Sequence, residues 1–158
     1  MKKTSIKFSK ATTDLYFSGS FAQLKQIVDK ASSVMITDEN VFAAHSKKFK
    51  GWNCIVLKAG EEYKIQATAD SIVEQLIAME ADRRFTLIGV GGGVVTDMTG
   101  YVASIFLRGI NFGFVPTSLL AMVDAAIGGK NGIDVGVYKN MVGTIRQPSF
   151  ILYDNDFL

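Results

Sequence analysis

The sequence predicts a three-layer α/β domain around a largely parallel sheet, on three observations. Short apolar runs recur along the chain, separated by stretches of 10–15 residues whose apolar positions repeat at helical spacing, the pattern of βαβ units. The runs are continuously apolar rather than alternating, as in Phe85–Val90, which suits strands covered on both faces. Glycines gather where the later runs and helices end, at Gly91-Gly92-Gly93 and Gly128-Gly129, and the carboxyl ends of such strands are where ligands bind. The architecture is Rossmann-like.

The elements follow in order. Ile6–Phe8 and Leu15–Phe17 are short strand candidates, and the Gly19-Ser20 breaker ends the second. Ser20 can cap a helix whose apolar positions Phe21, Leu24, Ile27 and Val28 recur at three and four. Val34–Thr37 is a strand, followed by a helix from about Val41 to Lys48; Trp52–Leu57 is the next strand. A helix is expected between Gln66 and Glu80, with Ile72, Leu76 and Met79 on one side. Phe85–Val90 is a compact strand entering the three glycines, and the apolar helix Val94–Ile105 follows. Phe112–Val115 is a buried strand stopped by Pro116, Leu119–Ile127 reads as a helix ended by Gly128-Gly129, and Phe150–Tyr153 is the last strand.

Composition removes several function classes. Lys and Arg number 17 against 15 Asp and Glu, a formal charge of +2, and the basic residues form no stripe, so nucleic acid is not the expected partner. The densest patch, Lys47–Lys50, reads as a solvated helix end. One cysteine and one histidine cannot build a Cys/His metal cluster or an internal disulfide. His45, in a charged segment, reads as a surface side chain. No apolar run reaches the roughly 18 residues of a membrane span, and the basic start lacks a signal-peptide core. A cytoplasmic protein is the expectation.

Charge is distributed unevenly. Residues 1–84 carry thirteen of the basic side chains and ten of the acids, with three of the fifteen glycines. Between Phe85 and Gly129 only Asp97, Arg108 and Asp124 are charged. That stretch is expected to be mostly interior, and a charge kept there needs a partner or a ligand.

Three segments carry candidate chemistry. In FTLIGVGGGVVTD, residues 85–97, a strand passes through Gly91, Gly92 and Gly93 into a helix beginning at Val94. Free backbone N–H groups and a helix start suit a pyrophosphate; the alternative is that the glycines simply permit a tight turn and close packing. The spacing is neither GxGxxG nor a Walker loop. Asp97 is either a ligand-facing carboxylate or a partner of the helix start. In FVPTSLLAMVDAAIGGKNG, residues 114–132, Thr117 and Ser118 can cap a helix or bind a cofactor together. Asp124 interrupts an apolar run, and Lys130 follows two glycines, where it can offer a point charge to an anion. In GVYKNMVG, Lys139 and Asn140 fall at an expected bend between Gly136 and Gly143. Upstream, Asp38, Asn40, Glu61 and Lys64 follow strand ends, either as ordinary loop residues or as partners for ribose and adenine.

GGGVVTDMTGYVASIFLRGI, VPTSLLAMVDAAIGGKNGID and YKNMVGTIRQP, in that order and spacing, resemble the signature region of the 3-dehydroquinate synthase family. TDENV at 37–41 and GEEYK at 60–64 are similar to its cofactor-binding segments, so the likeness covers about residues 34–156. The resemblance implies a phosphate–oxygen lyase of the shikimate route. Its substrate would be 3-deoxy-arabino-heptulosonate 7-phosphate, converted to 3-dehydroquinate through transient oxidation by NAD, phosphate elimination, reduction and aldol closure. It also implies a divalent metal, zinc or cobalt.

By the same resemblance, Asp38, Asn40, Glu61 and Lys64 would hold the adenosine end of NAD. Gly91, Gly92, Gly93 and Val94 would approach its phosphates, Asp97 the nicotinamide half, and Thr117 and Ser118 would bind it as a hydroxyl pair. Asp124, Lys130 and Asn140 would contact the substrate, and Lys130 and Lys139 would border both pockets. Arg108 would reach the phosphate in a partner subunit's site, making the enzyme a homodimer. Departures are Ser118 for a second Thr, Asn131 for Thr, Val137-Tyr138 for Leu-Gly, and Asp134 for Asn.

The family's metal ligands, a Glu and two His of a second, helical domain, have no counterpart here. Residues 1–158 are therefore expected to be the N-terminal NAD-binding domain of a longer two-domain enzyme, inactive alone. The alternatives are a related cyclase acting on sedoheptulose 7-phosphate, a glycerol-dehydrogenase-like enzyme, which GGKNG and YKN argue against, and a non-catalytic nucleotide-binding module.

Overall fold

The computed structural model describes all residues, 1–158. Strands β1 (Lys2–Lys7) and β2 (Thr12–Phe17) form an antiparallel hairpin, and a capped 3₁₀ turn, Phe21–Gln26, follows. Then come β3 (Ser33–Asp38), the short helices α1 (Glu39–Ala44) and α2 (Ser46–Phe49), β4 (Asn53–Leu57) and α3 (Gln66–Ala78). Next are β5 (Thr86–Gly91), α4 (Gly93–Ile105) and β6 (Asn111–Pro116). A second hairpin, β7 (Lys130–Val135) and β8 (Tyr138–Ile145), precedes β9 (Phe150–Leu152). The seven-stranded sheet runs β1-β2-β9-β6-β5-β3-β4, parallel except for β1, while β7 and β8 make a separate two-stranded sheet.

Burial explains the unbroken apolar runs. Val34, Ile36, Leu87, Phe112 and Phe114 face α3 and α4, packing with Ile72, Leu76, Met98 and Val102. Their neighbours Met35, Ile88, Val90 and Val115 face the opposite layer of Phe21, Leu24, Phe49 and Phe157. Adjacent residues point to opposite faces, so a strand covered twice must be apolar at every position. The chain steps from β3 outward to β4, then returns across β3 to β5 and on to β6. The reversal places a crevice between the carboxyl ends of β3 and β5, beside Asp38 and Gly91.

Several elements differ from expectation. The Lys139-Asn140 bend is a strand: residues 130–145 fold as a hairpin, and its exposed apolar side chains (Val137, Met141, Ile145) give no one-sided period to read. Leu119–Ile127 is largely a π-turn, Ala121–Ala125, with Ala126 N–H donating to the Ala121 carbonyl. The helix expected over 41–48 begins earlier, at Glu39, because Asp38 Oδ1 accepts the N–H groups of Asn40 and Val41 at 2.9 Å each. It then breaks at His45. His45 is half-buried, its ring 4.7 Å from that of Phe157. The weakly charged stretch is not uniformly interior either: Arg108, Leu119, Leu120, Val123 and Asp124 are exposed. No helix is long and apolar enough to cross a membrane.

Candidate active site

The crevice is built from the glycine turn outward. Gly91 ends β5 level with Pro116 of β6, and its carbonyl accepts the Thr117 N–H at 3.0 Å, drawing the hydroxyl pair beside the turn. Gly92 caps α4 with no side-chain acceptor for the first-turn N–H groups, which leaves donors and the positive helix end facing the crevice. A Cβ on Gly92 would lie 3.6 Å from Ser118 Oγ, and one on Gly93 3.5 Å from Ala125 Cβ. Side chains there would therefore fill the gap between the turn and the 117–125 segment. Ser118 Oγ accepts the Ala121 N–H at 3.2 Å, the capping role open to it from sequence, and its own O–H remains to donate.

Beyond the turn, the hairpin brings distant residues onto α4. Lys64 is buried, with its Nζ 2.7 Å from Asp97 Oδ2 and 2.7 Å from Asn140 Oδ1. Glu61 Oε1 lies 3.8 Å from Lys64 Nζ and 3.8 Å from Lys139 Nζ. Burial pushes the Asp97 carboxyl above the usual carboxylate range, with the Lys64 ammonium opposing and the Glu61 and Asp134 charges adding to the rise. Asp97, Asp124, Lys130 and Asn140 line one cavity of about 730 Å³. Asp124 and Lys130 are exposed, so both charges are solvated at its mouth.

The remaining residues from sequence lie elsewhere. Asp38 and Asn40 sit across the crevice at the end of β3, and one Asp38 oxygen is committed to capping α1. Arg108 follows α4 at the end of the sheet where β6 begins, about 20 Å along the helix axis from the glycine turn for a helix of 13 residues. Leu107, Arg108 and Gly109 all take positive φ (49°, 64° and 116°), which projects the guanidinium from a sharp surface turn. No three His, Cys, Asp or Glu side chains gather in a way that could hold a metal ion.

Residues 54–158 match the family model described as 3-dehydroquinate synthase N-terminal. The chain belongs to the 3-dehydroquinate synthase family. It is 42% identical to the 3-dehydroquinate synthase of Campylobacter curvus (strain 525.92), over 86% of this chain and 41% of that protein. It is 52% identical to that of Pyrococcus furiosus (strain ATCC 43587 / DSM 3638 / JCM 8422 / Vc1), over 71% of this chain and 33% of that protein. The chain thus spans about two-fifths or less of these relatives. A solved structure of 2-deoxy-scyllo-inosose synthase, complexed with carbaglucose-6-phosphate, NAD+ and Co2+, superposes with a TM-score of 0.86 at 27% identity, covering 99% of this chain and 47% of that one. The 3-dehydroquinate synthase family is one of lyases.

Two residues of this 3-dehydroquinate synthase domain stood out in the sequence only as departures. Asn131 is buried, its Nδ2 donating to the carbonyls of Gly129 at 2.9 Å and Arg146 at 3.1 Å, which ties the hairpin base together. Its Oδ1 packs where Gly100 of α4 lacks a side chain. Asp134 accepts the Asn140 N–H at 2.8 Å. The available signal was Ile133-Asp134-Val135-Gly136-Val137-Tyr138, β-branched residues around a glycine that reads as a hairpin turn.

Proposed function

We propose that this chain is the N-terminal, NAD-binding domain of a two-domain 3-dehydroquinate synthase. The enzyme would convert 3-deoxy-arabino-heptulosonate 7-phosphate to 3-dehydroquinate and phosphate. The observation that carries the reading is the placement of Asp97, Asp124, Lys130 and Asn140 around one cavity close to an uncapped glycine turn. A dinucleotide phosphate would lie against that turn, in space beside Ser118 and Ala125 that a Cβ on Gly92 or Gly93 would partly occupy.

Gly92, Gly93 and Val94 N–H groups would hold the cofactor pyrophosphate, with the Ser118 hydroxyl as a further donor. Asp38, through its uncommitted oxygen, and Asn40 would take the ribose side, with Thr117 between. Bound NAD supplies reversible hydride exchange with a substrate alcohol, and a divalent metal held by residues outside 1–158 supplies Lewis-acid polarisation. Lys130 and Asn140 would bind the substrate's carboxylate and hydroxyl groups, and Asp124 would orient a hydroxyl by accepting a hydrogen bond from it. Lys64, neutralised by Asp97, holds Asn140 in place, while Glu61 and Lys139 border the pocket. Arg108 would meet the phosphate in a second copy, which makes a homodimer part of the proposal.

The test is the full-length protein with NAD, a divalent cation and 3-deoxy-arabino-heptulosonate 7-phosphate. Phosphate and 3-dehydroquinate are expected in equal amounts without net NADH, and residues 1–158 alone are expected to be inactive. Turnover of sedoheptulose 7-phosphate instead would assign a different cyclase. Net NADH from a simple alcohol would overturn the reading.

A further inference from the structure

The hairpin is irregular at the point where it touches the site. Ile133 pairs with Val142 and Val135 with Tyr138, so Asp134 alone on β7 faces Lys139, Asn140 and Met141 on β8. Two extra residues form a bulge, and bulges re-aim side chains beside functional sites. Asn140 sits at its centre with φ 52°, a left-handed conformation that asparagine tolerates better than most residues. The bulge could collapse or fray, because every residue of the hairpin from Val135 to Val142 is exposed.

Asp134, which faces the bulge from β7, is buried along with Asn131, Gly132 and Ile133 before it. Its Oδ1 accepts the Asn140 N–H at 2.8 Å, and its own N–H donates to the Lys64 carbonyl at 2.8 Å. The Lys64 side chain closes the ring by donating from Nζ to Asn140 Oδ1 at 2.7 Å. One residue therefore fixes the backbones of two others whose side chains meet at the cavity wall. The Asn140 N–H foremost, with the Lys64 and Lys139 ammonium groups, holds the Asp134 carboxyl below its ordinary range. At neutral pH the acceptor is thus charged and the bond charge-assisted.

We propose that Asp134 is a positioning residue that clamps the β8 bulge, so that Asn140 and Lys64 meet in the geometry needed for substrate binding. The inference rests on the cyclase reading for its kinetic readout, and has a second readout that does not.

Asp134→Ala, Asn140→Ala and the double variant of the full-length enzyme form a double-mutant cycle. Asp134→Ala is expected to lower kcat/KM about tenfold or more, chiefly through KM, as displacement of a binding group does. Asp134→Asn, which keeps an oxygen acceptor, is expected to recover most of that loss. In the Asn140→Ala background, removal of the Asp134 side chain is expected to cost little further. Equal losses in both backgrounds would overturn the proposal. So would an Asp134→Asn variant as impaired as Asp134→Ala.

Amide hydrogen exchange over residues 138–142 supplies the second readout. Protection is expected to fall in Asp134→Ala and persist in Asp134→Asn, and unchanged exchange in Asp134→Ala would overturn the clamp. If the wild-type enzyme does not turn over the substrate, the functional reading fails while the exchange measurement still decides the role of Asp134. Should Asp134→Ala not fold, Asp134→Val, a strand-forming residue without an acceptor, takes its place in both measurements.

Discussion

Lys64 Nζ lies 2.7 Å from Asp97 Oδ2, with the lysine side chain 6% exposed and the aspartate 18%. The residues come from different elements, Lys64 after β4 and Asp97 on the first turns of α4, and meet at the floor of the crevice. Breaking a buried pair strands the surviving charge and costs about 3–5 kcal/mol, whereas removing both charges costs much less. Lys64→Met is therefore expected to lower the thermal midpoint more than Lys64→Met with Asp97→Asn. Calorimetric unfolding of the three proteins checks this, and a double variant less stable than the single one would contradict it.

The same pair predicts a pH dependence. Burial raises the Asp97 carboxyl above its ordinary value of 3.8, so its ionisation favours the unfolded chain. That destabilisation is fully present above the raised folded value, and disappears as pH falls to the unfolded one. The stability of wild type relative to Asp97→Asn is expected to improve as pH is lowered from 7 toward 4. Thermal unfolding of both proteins across that interval measures the difference, and a trend in the other direction rules out the assignment.

The glycine turn separates folding from binding. Gly92→Ala and Gly93→Ala place a Cβ at ordinary contact distance, 3.6 Å and 3.5 Å from Ser118 and Ala125. Each is expected to change stability by less than about 1 kcal/mol. Both fill the space proposed for the cofactor phosphates, so NAD affinity of the full-length protein is expected to fall tenfold or more, about 1.4 kcal/mol. Gly91→Ala behaves differently, because its Cβ would come within 2.5 Å of Val95 Cβ. Overpacking of that kind costs about 1–3 kcal/mol. Titration calorimetry and thermal melts of the three variants distinguish the two effects.

The layered α/β fold was legible because strands covered on both faces, such as residues 87–91 and 112–116, carry no polar side chain. Glycines at a strand end, followed by an uncapped helix, marked the crevice for the same local reason. The hairpin was not legible. Its second strand is exposed at nearly every position, and without a buried face there is no period to follow. The π-turn also escaped, since Ala121, Met122 and Ala126 are buried at spacings that an α-helix would satisfy as well.

By itself, the sequence determined the alternation of strands and helices, the glycine turn, the family, and which side chains were available. It did not determine how those side chains are partnered. Lys64 and Asn140 are 76 residues apart in the chain, and Asp97 lies between them on a different element. Only the crossover from β4 through α3 to β5, with the hairpin folded back over α4, brings the three together. Local propensity sets an element's own geometry, whereas the meeting of an ammonium, a carboxylate and an amide depends on how separate elements pack. Tertiary structure alone decided that Lys64 is neutralised by Asp97 and that Asp134 fastens Asn140.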